Sequence, residues 1–223
     1  DRGVAVSDRE RIAHVVRRLS MGAHPDLVAE LDDTDAAIAR ALDVSAPAVT
    51  PLEVTVPTDV KSGNKVREVL EMVDWWVDRM EQPDRLVEER MTWFWHDHFA
   101  TRGEPTPLML RQNQLFRRHA LGDFGSLLWA VTRDPAMASF LSLTHSKPPT
   151  PNENYARELM ELFTLGRGYT EHDIREAARA LTGFVPVMEN GLARRIAFDP
   201  GQHDRGVKRI FGHRGRFAPI DVI

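Results

Sequence analysis

The strongest constraint on the fold is a run of apolar side chains at steps of three and four residues: Val66, Val69, Leu70, Val73, Trp76, Val77 and Met80. That spacing is the period of one helix face. Pro83 breaks the run, because proline removes a backbone donor and clashes with the preceding turn. The pattern then resumes and predicts a second helix from residue 86 to about 98, with Val87, Met91, Phe94 and Trp95 turned inward.

Helix signals recur on both sides. Ser7-x-x-Glu10 is a capping box ahead of Ile12, Val15, Val16 and Leu19, and Gly22 is a stop. Short helices are expected over 25–31, with proline at the first position, and over 34–42. Downstream, helices are expected over 108–120, over 124–131 and from Pro135 to Leu143. Thr170-x-x-Asp173 caps a further helix whose inner face is Ile174, Ala177, Ala178 and Leu181, stopped by Gly183. Beyond Gly183 the character changes. Two short strands are expected around the Asn190-Gly191 turn, and 211–217 reads as a Gly- and Arg-rich loop. Pro47, Pro51 and Pro57 make 43–63 an extended Pro-rich connector. The expected fold is mainly α: a multi-helix orthogonal bundle forming one domain over 1–223, with a small β hairpin near the C-terminus.

The totals restrict the function classes. A formal net charge of −4 leaves no global basic field for nucleic acid. There is no cysteine, which rules out disulfides, thiolate metal sites and a thiol nucleophile. No apolar stretch reaches the roughly 18 residues that read as a membrane span. No G-x-S-x-G elbow, P-loop, dinucleotide glycine motif or H-E-x-x-H occurs. The apolar ending Phe217-Ala218-Pro219-Ile220-Asp221-Val222-Ile223 leads to the expectation that this is a fragment of a longer protein.

Three polar constellations are candidates for chemistry. In Trp93-Phe94-Trp95-His96-Asp97-His98-Phe99, aromatic walls surround two imidazoles, the commonest nitrogen ligands for transition metals. Residues two apart on a helix point about 200° apart, so His96 and His98 share a ligand only where the helix ends or distorts. A packed aromatic helix end accounts for the same residues. In Pro151-Asn152-Glu153-Asn154-Tyr155-Ala156-Arg157-Glu158-Leu159-Met160-Glu161, Asn152 is the expected N-cap, and Glu158 and Glu161 share a helix face. Paired carboxylates can hold a metal or share a proton. Thr164, three residues after Glu161, departs from the di-iron pattern, which has histidine there. Salt bridges to arginine, beginning with Glu153 and Arg157, are the plainer account. The third constellation is His203-Asp204-Arg205-Gly206-Val207-Lys208, in which Lys208 is an anion-binding candidate, though a polar turn has the same composition.

Taken together, several long motifs resemble the bacterial domain-of-unknown-function family 1800. They are Glu89-Arg90-Met91-Thr92 through Phe99-Ala100, Ala120-Leu121-Gly122-Asp123-Phe124, Arg133-Asp134-Pro135-Ala136-Met137, the segment from Pro151 to Gly166, Tyr169-Thr170-Glu171 to Leu181-Thr182-Gly183, and His203-Asp204 to Lys208. The resemblance runs from about Arg11 to the C-terminus. It supplies no reaction. It implies a longer natural chain and favours a periplasmic, secreted or envelope location over a cytoplasmic one. The family pattern often has Asn at the position of Asp97, which argues against that carboxylate as an essential group.

Two readings follow. The first is a metal-dependent enzyme, hydrolytic or oxidative, with its pocket walled by Trp93, Trp95 and Phe99. His96, His98 and His203 would be ligands to zinc, iron or manganese, and Glu158, Glu161, Arg157 and Lys208 would be catalytic groups. The second is a metal-free helical scaffold that binds a partner protein or an envelope polymer, with Glu158, Glu161, Arg157 and His96 in a buried polar network. The missing remainder of the chain is a further candidate partner. A glycan-cleaving pair of carboxylates is the minor reading, because glutamates three apart on one helix sit too close to flank a glycosidic bond.

Overall fold

The computed structural model describes residues 7–48, 50, 52, 65–82 and 84–223. Most of the 43–63 connector lies outside these residues. The fold is mainly α, with ten α-helices and two small antiparallel hairpins near the C-terminus among the described residues. The described chain falls into two compact units. One is built from the chain up to His96 together with Phe116–Leu121, and the other from Asp97–Leu115 and Gly122–Ile223.

In the first unit, α1 (Asp8–Leu19), α2 (Pro25–Glu30) and α3 (Thr34–Leu42) pack around Ile12, Val16, Leu27, Leu31, Ala37 and Ala41, joined by Leu86. The Ser7–Glu10 capping box forms as expected: each side chain satisfies the other residue's backbone N–H. The Arg9 guanidinium closes the α2 corner by donating to the carbonyls of Val28 and Leu31 at 2.6 and 2.8 Å. Next come α4 (Lys65–Glu81) and α5 (Leu86–His98). The expectation for α4 needs correcting in detail. The helix forms, but Val66, Val69, Leu70, Val73 and Val77 stay exposed. Its inner side is the half-buried pair Trp75 and Trp76 with the buried Arg79. On α5, Phe94 is exposed rather than inward, while Val87 is buried and Met91 and Trp95 are half-buried.

The expected helix over 108–120 forms as α6 (Thr106–His119). In the second unit, α7 (Phe124–Thr132) and α8 (Pro135–Phe140) start at Asp123 and Asp134, whose side chains accept from Ser126 and Met137 backbone N–H groups. The α8 helix stops at Phe140 rather than Leu143, since Ser142 takes a left-handed conformation before a short 3-10 turn. Helix α10 (Glu171–Ala180) has the Thr170–Asp173 capping box and the expected buried face. Strands β1 (Phe184–Glu189) and β2 (Leu192–Phe198) pair antiparallel across Asn190-Gly191, both at positive φ, as a tight hairpin requires. The segment after Val207 is not simply a loop. β3 (Lys208–Ile210) pairs with β4 (His213–Gly215) through Phe211 and Gly212, again both at positive φ. Phe211 gives no turn signal, and α10 supplies the reason the hairpin holds. Asp173 accepts from the Phe211 backbone N–H at 2.6 Å, and Glu176 accepts from that of Arg209 at 2.8 Å.

Candidate functional site

The acidic helix starts one residue later than its sequence implies. Asn152 does not cap the helix. Its Oδ1 accepts from Asn154 N–H, and α9 runs Asn154–Glu158. From Leu159 to Thr164 the helix widens into π winding. Such bulges are frequent at functional sites. The widening separates residues that α spacing would align, so Glu158 is half-buried while Glu161 is exposed. The two carboxylates therefore sit in different surroundings. Thr164 Oγ donates back to the Leu159 carbonyl, and His98 Nε2 lies 3.1 Å from the Phe163 carbonyl oxygen. An imidazole N–H there satisfies a helix-terminal carbonyl. Around His98 stand Phe99, Phe124 and Phe163, with ring centroids at 4.6, 6.4 and 6.3 Å.

Arg157 faces outward. It forks onto Glu171 with two bonds of 2.8 Å and reaches Glu153 at 3.4 Å. The hydrogen bonds and charge of Glu171 hold the Arg157 guanidinium pKa above its ordinary value, and those of Arg157 hold the Glu171 carboxyl below its own. Burial raises the Tyr169 phenol, with the Glu161 charge and a hydrogen bond adding to it. These ion pairs lie at the surface, where such pairs contribute little. Arg157→Gln is therefore expected to move the melting temperature by no more than about 2 °C. A thermal melt checks this, and a larger fall would show that the pair is structural.

The third constellation closes on itself. Arg179 spans both Asp204 oxygens at 2.7 and 3.2 Å and both Glu176 oxygens at 2.9 and 3.1 Å. The guanidinium keeps the Asp204 carboxyl below its usual range. Thr182 Oγ accepts from Asp204 N–H at 2.8 Å, and His203 Nδ1 lies 3.0 Å from the Thr182 carbonyl. Lys208 is 1% exposed. Its ammonium donates to the carbonyls of Asp204 and Gly206, and burial lowers its pKa. The candidate anion-binding lysine thus faces its own loop.

His96 packs edge-on against Trp76 and Phe116, with centroids 5.0 and 6.1 Å away. Trp93, expected as a pocket wall, is 43% exposed. Among the described residues, no group of three or more His, Asp or Glu side chains is placed to hold a metal ion.

Two buried carboxylates were missed by sequence reasoning. Glu89, 3% exposed, accepts from Trp76 Nε1 at 2.5 Å and from Arg117 Nε and Nη2 at 3.0 and 2.7 Å, with Arg79 Nε at 3.6 Å. Arg117 also lies over the Trp75 ring. The available signal is that Glu89 falls on one helix face with Leu86, Trp93 and His96, and a carboxylate on such a face needs a buried partner.

The other is Asp134, buried at the start of α8. Its Oδ2 accepts from Gln112 Nε2 at 2.8 Å and from Met137 N–H at 3.0 Å. Burial pushes its pKa from 3.8 up to about 6. The folded state then holds a proton that the unfolded chain releases. This contribution is full below the unfolded value, and it is lost as pH rises through the folded one. One oxygen takes both bonds, so Asp134→Asn keeps them. The variant should match the parent at pH 4 and exceed it by up to about 3 kcal/mol at pH 7.5. Urea unfolding at the two pH values reads the difference, and a less stable variant at pH 7.5 would contradict it.

Residues 14–223 match the family model described as Protein of unknown function (DUF1800), and the chain belongs to that family. No curated protein and no solved structure matches it. Among the described residues, no helix is long and apolar enough to cross a membrane.

Proposed function

We propose that this chain acts as a metal-free helical scaffold that engages a protein partner through an exposed helix face. The observation that carries this reading is the aliphatic stripe of α4, where Val66, Val69, Leu70, Val73 and Val77 are each between 43% and 73% exposed. Contiguous apolar exposure on a folded surface marks an interaction site. The bonding of the charged groups supports the same reading. Arg157, Arg179, Asp204, Lys208 and Glu89 are joined to groups of their own chain.

A metal-dependent hydrolytic or oxidative enzyme is the second reading, and one observation favours it. When His203 Nδ1 donates its proton to the Thr182 carbonyl, the neutral ring carries its lone pair on Nε2, the arrangement of a metal-ligating imidazole. Titration calorimetry with zinc, manganese and ferrous iron separates the two readings. The scaffold predicts no stoichiometric uptake. Stoichiometric binding that is lost in His203→Ala or His98→Ala would overturn it in favour of the enzyme.

A further inference from the structure

The partner that fits the α4 face best is a second copy of the same face. We propose that the chain forms a two-fold symmetric dimer in which α4 pairs antiparallel with its equivalent. The inference rests on the scaffold reading and names its partner.

Three observations lead to it. First, Val66, Leu70, Val73, Val77 and Met80 follow one another at steps of four, three, four and three. This is the seam of a helix pair, narrower than the face of a helix buried in a globular core. The seam is separate from the helix's inner side, since Trp76 and Arg79 are occupied with Glu89.

Second, the two ends of the seam differ in shape. Val66, the most exposed large apolar side chain among the described residues, projects from the N-terminal end at 73% exposure. At the C-terminal end, Val77 and Met80 border a groove of about 940 Å³ that continues over Met21 and Leu27. Antiparallel pairing sets the projecting end of each copy against the grooved end of the other. A parallel pair would set projection against projection.

Third, the flanking charges follow the same direction. Arg67 and Glu81 lie one heptad either side of Asp74 along the edge of the seam. With the two-fold axis beside Asp74, Arg67 of each copy, which pairs with its own Glu71 at 3.0 Å across an exposed surface, faces Glu81 of the other. The groove rim adds Asp26 and Glu30 on the receiving side, against Arg40 and His24. The two Asp74 carboxylates meet near the axis and oppose pairing, but they are exposed and screened by water.

Because the chain has no cysteine, introduced thiols report pairing geometry cleanly. Mixing Arg67→Cys with Glu81→Cys in the otherwise intact chain and adding a short bismaleimide should give a covalent dimer in high yield. Arg67→Cys alone should give little, since two copies of that position lie at opposite ends of the pair. Leu70→Glu should weaken association by about 100-fold or more, by burying a charge in the seam. Arg67→Glu should weaken it by up to about 10-fold, and adding Glu81→Arg should restore it. A chain that remains monomeric at high micromolar concentration overturns the proposal, as does a dimer indifferent to Leu70→Glu. Equal cross-linking of Arg67→Cys with itself overturns the antiparallel arrangement. A monomer that takes up no metal sinks the dimer alone, whereas stoichiometric metal binding sinks the scaffold reading beneath it.

Discussion

Glu89→Ala should be among the most damaging single substitutions in this chain, costing about 3–5 kcal/mol and lowering the melting temperature by roughly 10 °C. The carboxylate is almost wholly buried, accepts from Trp76 and Arg117, and is ion-paired with Arg79 at 3.6 Å. Removing it takes from the Arg117 guanidinium, itself 6% exposed, its doubly bonded carboxylate, and leaves the 9% exposed Arg79 with Asp84 as its carboxylate partner. An uncompensated charge in such surroundings costs more than the original pair contributes. Glu89→Gln should fall between the two, since it keeps the shape and one acceptor but loses the charge. Thermal melts of both variants check this, and a melting temperature unchanged in Glu89→Ala would contradict the account. The comparison with Arg157→Gln is informative because both residues sit in arginine–glutamate networks and only one network is dry.

Gly183→Ala is the second large effect, expected at about 2–5 kcal/mol from backbone strain and overpacking together. The residue lies in the turn between α10 and the first hairpin, at φ +102°. A methyl group there would lie 2.8 Å from the Phe198 ring, 3.1 Å from the Asp199 carbonyl oxygen and 3.2 Å from His203 Cβ. The ring can swing aside, but the Asp199 carbonyl is held by the Gln202 N–H, which donates to it at 3.0 Å, and Asp199 N–H donates to the Gly183 carbonyl at 2.7 Å. Because His203 and Asp204 hang from Thr182, the strain should spread to the loop that Lys208 closes. Amide exchange should rise along β1, β2 and residues 199–208. Unchanged protection there would show that the turn relaxes locally.

The parts of the fold that were legible in the sequence depend on neighbours a few residues apart. Both capping boxes and the Asn190-Gly191 turn are local devices, and each appears where its residues stand. The illegible parts depend on distant residues. The β3–β4 hairpin is held by Asp173 and Glu176, more than 30 positions earlier. The π winding after Glu158 could not be read from an i, i+3 spacing that assumes α geometry. That assumption is what paired Glu158 with Glu161 in the sequence. The α4 helix was legible as a helix, yet not which of its apolar residues would be covered. Its tryptophans and Arg79 take the inner side because Glu89 and Arg117 lie there. That left the aliphatic positions, which look most like core in the sequence, on the surface.

The most direct test of the account is the light-scattering mass of the intact chain over a range of micromolar concentrations, with and without a strong chelator, beside Leu70→Glu. The account predicts a rise from one copy to two that the chelator leaves unchanged and Leu70→Glu removes. A mass of one copy throughout, or association that the chelator abolishes, would contradict it.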